Sequence, residues 1–200
     1  LVSLDDVVCT CSVRHKSGEE CAARTHLVFP YRGLYVRHVG TAETVAEANQ
    51  VLFFNEGEAY RVSHPVDGGD SNLSLHVADE VLAELAPPGH LRRQATLAFQ
   101  RQRRRIDPRA QALVAMLRHG LKEGVADAME GETLALTLVR RALGERTSHA
   151  AGASWSLQKL VDRAKLVLSS DPARRWTLSD VARMVGVSPV YLTHVFRQVE

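Results

Sequence analysis

The sequence predicts an α+β protein in which a small β-sandwich or barrel is followed by an all-α region that ends in a helix-turn-helix. Three observations support this prediction. Residues 1–78 contain short runs rich in β-branched and aromatic residues, separated by Gly, Pro, Asn and Asp. Residues 107–172 carry apolar stripes at helical spacing. Residues 178–200 contain two short amphipathic segments around Gly186.

The N-terminal part is predicted as a series of strands. In LYVRHV, alternate residues share a face, so Leu34 and Tyr35 point to opposite sides of the sheet. DEVLAELA, residues 79–86, predicts one short helix that ends before Pro87, and we expect no strands after it. The predicted strands are VVCTCSVR, HLVFPYRG, LYVRHVG, QVLFFNEG, AYRVSHP and NLSLHVA.

Two longer amphipathic helices are predicted next. Asp107 and Pro108 mark the start of one, and EGETLALTLVRRALG forms the other, which ends near Gly144. Their apolar stripes can pack on each other or on a partner chain, and the sequence leaves both arrangements open. Residues 145–155 are mostly small and polar and predict a linker, after which SLQKLVDRAKLVLSSDP predicts another helix. RQRRR, residues 101–105, is interpreted as a solvated surface segment or, beside a DNA-binding unit, as a contact site.

Composition narrows the class of protein. An apolar fraction of 45% allows a packed core. No apolar run reaches the roughly 18 residues of a membrane span, and the acidic start LVSLDDVVCT predicts no signal peptide. Three cysteines, an odd number, argue against a secreted disulfide scaffold and for a reducing cytoplasm.

The formal charge is unevenly distributed along the chain. Residues 1–90 hold 6 Lys and Arg against 13 Asp and Glu, a charge of −7, whereas residues 91–200 hold 19 against 10, a charge of +9. This split indicates an acidic domain joined to one that meets a polyanion. Chance surface charge is the alternative, but it leaves unexplained why the basic half also carries the helix-turn-helix.

The helix-turn-helix is predicted from residue types at fixed spacing. Ala182 is small where the two helices approach, and Gly186 suits a left-handed turn. Ser188 caps the second helix, while Thr177 or Ser179 caps the first. An ordinary αα-hairpin is the alternative, but it does not require the alanine and the glycine at this spacing. The residues predicted to face inward are Val181, Val185, Val187, Tyr191, Leu192, Val195 and Phe196.

The outward face of the second helix is predicted to read base edges in the major groove. Arg197 suits a bidentate contact with guanine, and Val190 suits an apolar contact with a thymine methyl group. Thr193 and His194 suit hydrogen bonds, and Pro189 completes this face. A solvated helix face is the alternative for each of them. Four further residues are predicted to contact phosphates: Arg174, Arg175, Arg183 and Ser188.

Two parts of the chain resemble one known family. WTLSDVARMVGVSPVYLTHVFRQVE resembles the first helix-turn-helix of AraC-type (AraC/XylS) transcription regulators, with their Ala, Gly, Ser-Pro, Tyr-Leu and Phe marks, and RAKLVLSS resembles their leading helix. LVFPYRGLYVRHVG and ANQVLFFNEGEAYRVSHPVDGGD resemble the family's cupin-like sensor domain. The family's DNA-binding domain has two helix-turn-helix units joined by a long helix. The sequence contains only the first, and we expect the second to follow Glu200.

The resemblance implies a division of the chain and a function. It divides the chain into a cupin-like sensor domain (1–90), a helical spacer and dimerisation region (91–144), the linker (145–155) and the N-terminal part of the DNA-binding domain (156–200). It implies a cytoplasmic, homodimeric regulator that is not an enzyme and has no membrane partner. Such a regulator binds double-stranded promoter DNA, contacts RNA polymerase and responds to an unknown small-molecule or metal effector.

The N-terminal cysteines form a candidate metal site. Cys9 and Cys11, together with Cys21 and His26 or His15, supply soft ligands suited to zinc or another thiophilic ion. Residues two apart share a strand face, so Cys9 and Cys11 are expected on one side. The spacing is looser than a C-x-x-C knuckle. Small buried thiols and a redox sensor are the alternatives, so no cofactor is assigned.

A second set of residues is predicted to line an effector pocket between sheets, suited to a small anionic or aromatic ligand. The alternative is that these residues are divided between core and surface. They are Tyr31, Arg32, Tyr35, Arg37, Phe53, Tyr60, Arg61 and His64.

Two other functions are considered. A cupin-type metalloenzyme with a helical appendage would use His64, Asp67, Asp70 and His76, but the family resemblance gives such enzymes a His-x-His pair that this sequence lacks. An effector-binding or oligomerisation fragment would hold its partners through residues 107–144.

Overall fold

The computed structural model describes residues 1–93, 96–144 and 154–200, which form an N-terminal group of antiparallel strands followed by a helical region. The predicted α+β class is therefore confirmed. The strands are β1 Val2–Cys9, β2 Glu20–Cys21, β3 His26–Arg32, β4 Tyr35–Val39, β5 Ala42–Ala46, β6 Gln50–Phe54, β7 Ala59–Ser63, β8 Asp70–Val77, β9 Leu91–Arg93, β10 Leu97–Phe99 and β11 Arg103–Arg105. The helices are α1 Asp79–Leu85, α2 Pro108–Glu123, α3 Ala128–Leu143, α4 Trp155–Ser170, α5 Leu178–Val185 and α6 Pro189–Val199.

The β-domain is a sandwich of two main sheets. A five-stranded sheet has the order β1-β8-β3-β6-β11, and a four-stranded sheet has the order β2-β7-β4-β5. Neighbouring strands pair antiparallel, and β9 and β10 form a separate two-stranded sheet. The predicted sandwich is thus present.

Both faces of the five-stranded sheet are buried at the inner strands β3 and β6. Leu27 and Phe29 of β3 pack in a core shared with α2 and α3, whereas Val28 between them packs in the core shared with the four-stranded sheet. In the same way Phe53 and Phe54 of β6 belong to opposite cores. Because successive side chains point to opposite faces, a sheet covered on both sides needs continuous apolar runs.

Helices α2 and α3 cover the outer face of that sheet. The predicted N-cap is confirmed: Asp107 accepts a hydrogen bond from the Ala110 N–H at 2.8 Å. Asp107 also accepts from Arg141 of α3 at 2.8 and 2.5 Å, which joins the two helices. The sequence left open whether the apolar stripes of these two helices pack on each other or on a partner chain. In the structure they pack on each other and on the sheet.

The absence of strands after residue 86 was a wrong prediction. Residues 91–105 contain β9, β10 and β11, and β11 pairs with β6 at the edge of the five-stranded sheet. The basic run is therefore partly structural: the buried Arg104 donates to the Leu143 carbonyl oxygen at 2.5 Å. The first strand lies earlier than predicted, at Val2–Cys9.

The C-terminal helices α4, α5 and α6 form a three-helix unit. Ala164 of α4 packs with Ala182 of α5 and Leu192 of α6, while Val161 packs with Val195. Residues 145–153 of the predicted linker lie outside the described residues, and α4 begins at Trp155. Among the described helices none combines the length and the apolarity that crossing a bilayer requires.

Candidate functional site

The turn of the helix-turn-helix has the predicted caps. Thr177 accepts from the Asp180 N–H, and the Asp180 carboxylate accepts in return from the Thr177 N–H, which completes a capping box. Hydrogen bonds from Thr177 hold the pKa of Asp180 below its usual range. Gly186 has φ +78°, in the left-handed region, and Ser188 accepts from the Tyr191 N–H at 3.2 Å. Local sequence therefore fixes the angle at which α6 leaves the turn.

One inward-facing residue was predicted wrongly. Tyr191 is 46% exposed, whereas Leu192 and Val195 are buried. A helix turns by about 100° per residue, which puts Tyr191 on the flank of α6 rather than beneath it. Tyr191 therefore borders the outward face, where the sequence pattern had not placed it.

The outward face of α6 is formed by three of the five residues predicted to read bases. Val190 is 81% exposed, and His194 and Arg197 are exposed on the same side, about one and two turns further along. Pro189 and Thr193 are only half-exposed. The Thr193 hydroxyl donates to the Pro189 carbonyl oxygen at 3.0 Å, so it is already engaged within the helix.

The residues predicted to contact phosphates lie before α5, on α5 and at the start of α6. Arg174 lies over the Trp176 ring with its guanidinium carbon 4.0 Å from the ring centre. Arg183 is exposed and pairs with Asp180 at 2.8 Å. Arg175 and Ser188 are also exposed. Three exposed arginines thus belong to the helix-turn-helix or to the segment just before it, and one of them has a carboxylate beside it.

The eight predicted effector-pocket residues do not all converge, although Arg37 lies 5.6 Å from the Tyr60 ring centre and the Tyr35 and His64 rings are 6.3 Å apart. Tyr35 and Tyr60 pack between the two sheets, whereas Phe53 packs on the opposite face and stacks on Phe99 at 4.3 Å. Tyr31 donates to Asp6 at 2.5 Å, at the edge near α2. The remaining members also differ in place: Arg32 and Arg61 are exposed, Arg37 is fully buried, and His64 lies near Cys9.

Arg37 is a structural cation rather than a pocket group. Its guanidinium donates to the Phe53 carbonyl oxygen at 2.7 Å and to Glu58 at 2.5 Å, and it lies over the Phe54 ring. Burial lowers its pKa, and the Glu58 carboxylate opposes that shift. Burial also raises the pKa of Tyr35 above its usual range. These groups complete the interior of the sandwich.

A cleft of about 340 Å³ lies between the β-domain and α4, where the sequence pattern had not predicted a site. Arg103 of β11 and Asp162 of α4 form an ion pair at its wall, with Nη1 and Oδ1 2.9 Å apart. Burial raises the pKa of Asp162 even though Arg103 favours its charged form. The other charged and aromatic residues lining the cleft are Glu43, Arg101, Arg104, Arg105, Trp155, Lys159 and Glu200.

The predicted metal ligands are separated. Cys21 is exposed on β2, and His26 stacks on Phe54 with its Nδ1 2.8 Å from the Arg24 carbonyl oxygen. Cys11 lies beyond the end of β1 and is exposed. The four residues Cys9, Cys11, Cys21 and His26 therefore do not form one site in this structure.

Cys9 instead meets two residues from elsewhere in the chain. Its Sγ lies 3.7 Å from Nε2 of His64, and that Nε2 lies 2.8 Å from Oδ2 of Asp70. The Cys11 N–H donates to Cys9 Sγ at 3.4 Å. Burial raises the pKa of the Cys9 thiol, and the Asp70 charge raises it further. This environment does not suit a reactive low-pKa thiolate.

Comparisons with known proteins place the fold. No family model and no curated protein matches the chain. Apo ToxT from Vibrio cholerae strain SCE256 is similar in structure, with a TM-score of 0.54 at 8% identity over 99% of this chain and 75% of that chain. The AraC-like transcriptional activator CuxR has a TM-score of 0.42 at 14% identity, over 87% of this chain and 60% of that chain. A cupin superfamily protein from Desulfitobacterium hafniense has a TM-score of 0.30 at 15% identity, over 39% of this chain and 66% of that chain. At this low identity the likeness to apo ToxT shows a shared fold, with antiparallel strands followed by helices, which is the order that the sequence predicted.

Proposed function

We propose that this protein is a transcription regulator that binds double-stranded promoter DNA through α6. The observation that carries the proposal is the outward face of a capped helix-turn-helix, where Val190, His194 and Arg197 are exposed. The inner face of α6 is sealed by α4 and α5, so only the outer face is free to enter a major groove.

Charge supports the same proposal. The half of the chain that contains the helix-turn-helix has a formal charge of +9. Single DNA-binding modules bury only about 600–1,000 Å² of protein surface. Phosphate contacts should therefore supply most of the affinity, and binding should weaken steeply as salt rises.

In vitro selection from a random duplex library tests this proposal. The purified chain is expected to enrich a short motif, and fluorescence anisotropy is expected to show tighter binding to that motif than to a scrambled duplex of equal length. The logarithm of the binding constant should fall linearly with the logarithm of salt concentration, by about 0.9 per phosphate contact. Absence of binding at low salt, or equal affinity for both duplexes, would contradict it.

The proposal extends to the partners implied by the resemblance. A homodimer is supported by the apolar residues Met116, Leu121 and Met129, which stay exposed on α2 and α3. Sedimentation analysis should then give twice the monomer mass. RNA polymerase is the proposed downstream partner. The cytoplasm is the proposed location, because the free thiols Cys9, Cys11 and Cys21 are typical of a reducing compartment.

The cleft between the β-domain and α4 is the proposed effector site. Its cations and Trp155 suit a small anion with an apolar part. Lys159 lies 4.3 Å from the Trp155 ring centre, so a bound carboxylate at Lys159 would alter the surroundings of that indole. A thermal-shift screen of small carboxylates should give a stabilising compound whose effect is lost in Lys159→Ala. A compound that stabilises both proteins equally would not use this cleft.

A further inference from the structure

We propose that Cys9, His64 and Asp70 bind one thiophilic divalent cation, with Zn²⁺ the best match. The three residues come from β1, from the segment after β7 and from the start of β8. Their ligand atoms all lie within 4.8 Å of one another. The inference does not rest on DNA binding, and it replaces the ligand set that the cysteine spacing predicted.

Backbone pairing brings the three side chains together. Cys9 is the direct antiparallel partner of Asp70 in the β1–β8 ladder. The His64 N–H donates to the Val13 carbonyl oxygen at 2.9 Å, which holds the segment after β7 beside the segment after β1. The site is therefore held by main-chain contacts rather than by chance proximity of long side chains.

A glycine makes the close approach possible. Gly69 has φ +67°, and a Cβ there would lie 2.1 Å from the Cys9 carbonyl oxygen. Only glycine allows the turn before Asp70 to lie so near the end of β1. The side chains of Cys9 and Asp70 are thereby kept next to each other.

The distances suit a tetrahedral ion. With metal bonds of about 2.3 Å to sulfur and about 2.0 Å to nitrogen and oxygen, tetrahedral ligands of this set stand roughly 3.3–3.5 Å apart. Cys9 Sγ and His64 Nε2 are 3.7 Å apart, and His64 Nε2 and Asp70 Oδ2 are 2.8 Å apart. To hold the ion, the second distance would have to widen by about 0.5 Å, and Cys9 Sγ and the Asp70 carboxylate, which lie within 4.8 Å of each other, would have to reach the same spacing.

The Asp70 carboxylate is the observation that points to a ligand. Asp70 is 3% exposed, and its Oδ1 accepts from Asn72 at 2.5 Å. Its Oδ2 is buried, and no described donor is aligned on it, although His64 Nε2 is near. A buried carboxylate oxygen without an aligned partner is costly. A cation between Oδ2, Nε2 and Sγ would satisfy all three atoms.

The donor set decides which ion fits. One thiolate, one imidazole and one carboxylate favour Zn²⁺ over Mg²⁺ or Ca²⁺, which prefer oxygen ligands. Three protein ligands leave a fourth position for solvent, which can reach the half-buried Cys9. A coordinated thiol loses its proton, so the ion would also offset the burial that favours the neutral thiol.

Metal titration of the chelator-treated, reduced protein tests the site. Zn²⁺ in competition with a chromophoric chelator should bind with one equivalent per chain, and Co²⁺ should give a thiolate-to-cobalt charge-transfer band. Cys9→Ser should abolish that band and weaken Zn²⁺ binding by at least about tenfold, the lower end of what even an outer-shell loss costs. Cys21→Ser is the matched control, because Cys21 is distant on β2, and it should bind like the parent protein.

Three results would overturn the proposal. The first is Co²⁺ binding to the parent protein without a thiolate band, and the second is equal Zn²⁺ affinity in Cys9→Ser and the parent. The third is absence of metal binding by a parent protein that has a native circular dichroism spectrum. The band belongs to the unmutated protein, so it tests the site even where a variant folds poorly. The assay contains no DNA, so its outcome is separate from that of the proposed function.

Discussion

The guanidinium of Arg103 on β11 donates to the carboxylate of Asp162 on α4 at 2.9 Å, and this contact joins the β-domain to the three-helix unit. A second ion pair lies beside it, with Lys165 of α4 2.9 Å from Glu47. Both members of the first pair are largely enclosed. The junction is therefore polar and buried. In such a place, removing one partner lowers the free energy of unfolding by more than the intact pair adds to it, because the other charge stays buried and unpaired.

Removal of one partner of this pair should be costly. Asp162→Ala leaves the Arg103 charge enclosed without its carboxylate, and we expect a loss of up to about 3–5 kcal/mol in the free energy of unfolding. The double variant Arg103→Met, Asp162→Leu removes both charges and should lose much less. Urea denaturation at neutral pH measures both. Equal losses in the two variants would show that the ion pair is not the source of the effect.

The two kinds of predicted DNA contact can be separated by mutation. Arg197→Ala should cost about 1–3 kcal/mol on the selected motif and relax sequence preference at one position. Arg174→Ala should weaken selected and scrambled duplexes alike and reduce the salt slope by about 1. Arg140→Ala is a control of equal charge change, because Arg140 is exposed on α3, away from α6. Identical profiles for Arg197→Ala and Arg174→Ala would remove the assignment of the reading face.

Gly69 is expected to tolerate no side chain. In Gly69→Ala the new Cβ has a strained left-handed backbone and also clashes with the Cys9 carbonyl oxygen. In Gly57→Ala only the backbone is strained, at φ +74°, and the space around the new Cβ is open. The backbone alone should cost about 1–2 kcal/mol. Gly69→Ala should therefore lose clearly more stability than Gly57→Ala in thermal unfolding. A similar loss in both variants would mean that β1 moves aside without penalty.

Asp107 should make stability depend on acid pH. The Arg141 hydrogen bonds lower the pKa of this carboxyl below its ordinary 3.8. The contribution of Asp107 to the free energy of unfolding is therefore complete above the pKa that it has in the unfolded chain. It is lost as pH falls through the lower pKa that it has in the folded protein. Asp107→Asn keeps a capping acceptor but cannot titrate. The difference in free energy of unfolding between the parent and this variant, measured by urea denaturation, should therefore disappear at low pH. Asp107→Ala also loses the cap and should cost about 1 kcal/mol at neutral pH. A gap that stays constant from neutral to acid pH would contradict this role.

The sequence pattern predicted correctly those features that depend only on residues close together in the chain. The caps at Asp107, Thr177 and Ser188 and the turn at Gly186 were all predictable, because each involves atoms within a few residues. The strand β11 was not predictable, since three arginines carry no strand pattern and pair with β6 far away in sequence. The approach of His64 to Cys9 spans 55 positions and depends on sheet register, which cysteine spacing does not encode.

Helix α4 has a consequence for how the two halves of the protein communicate. Within one turn, Val161 and Ala164 pack against α6 and α5, while Asp162 and Lys165 hold the β-domain. A helix is stiff over such a short length. A tilt of α4 relative to the β-domain would therefore be expected to shift Val161 and Ala164 as well, and with them the α5 and α6 side chains that they contact.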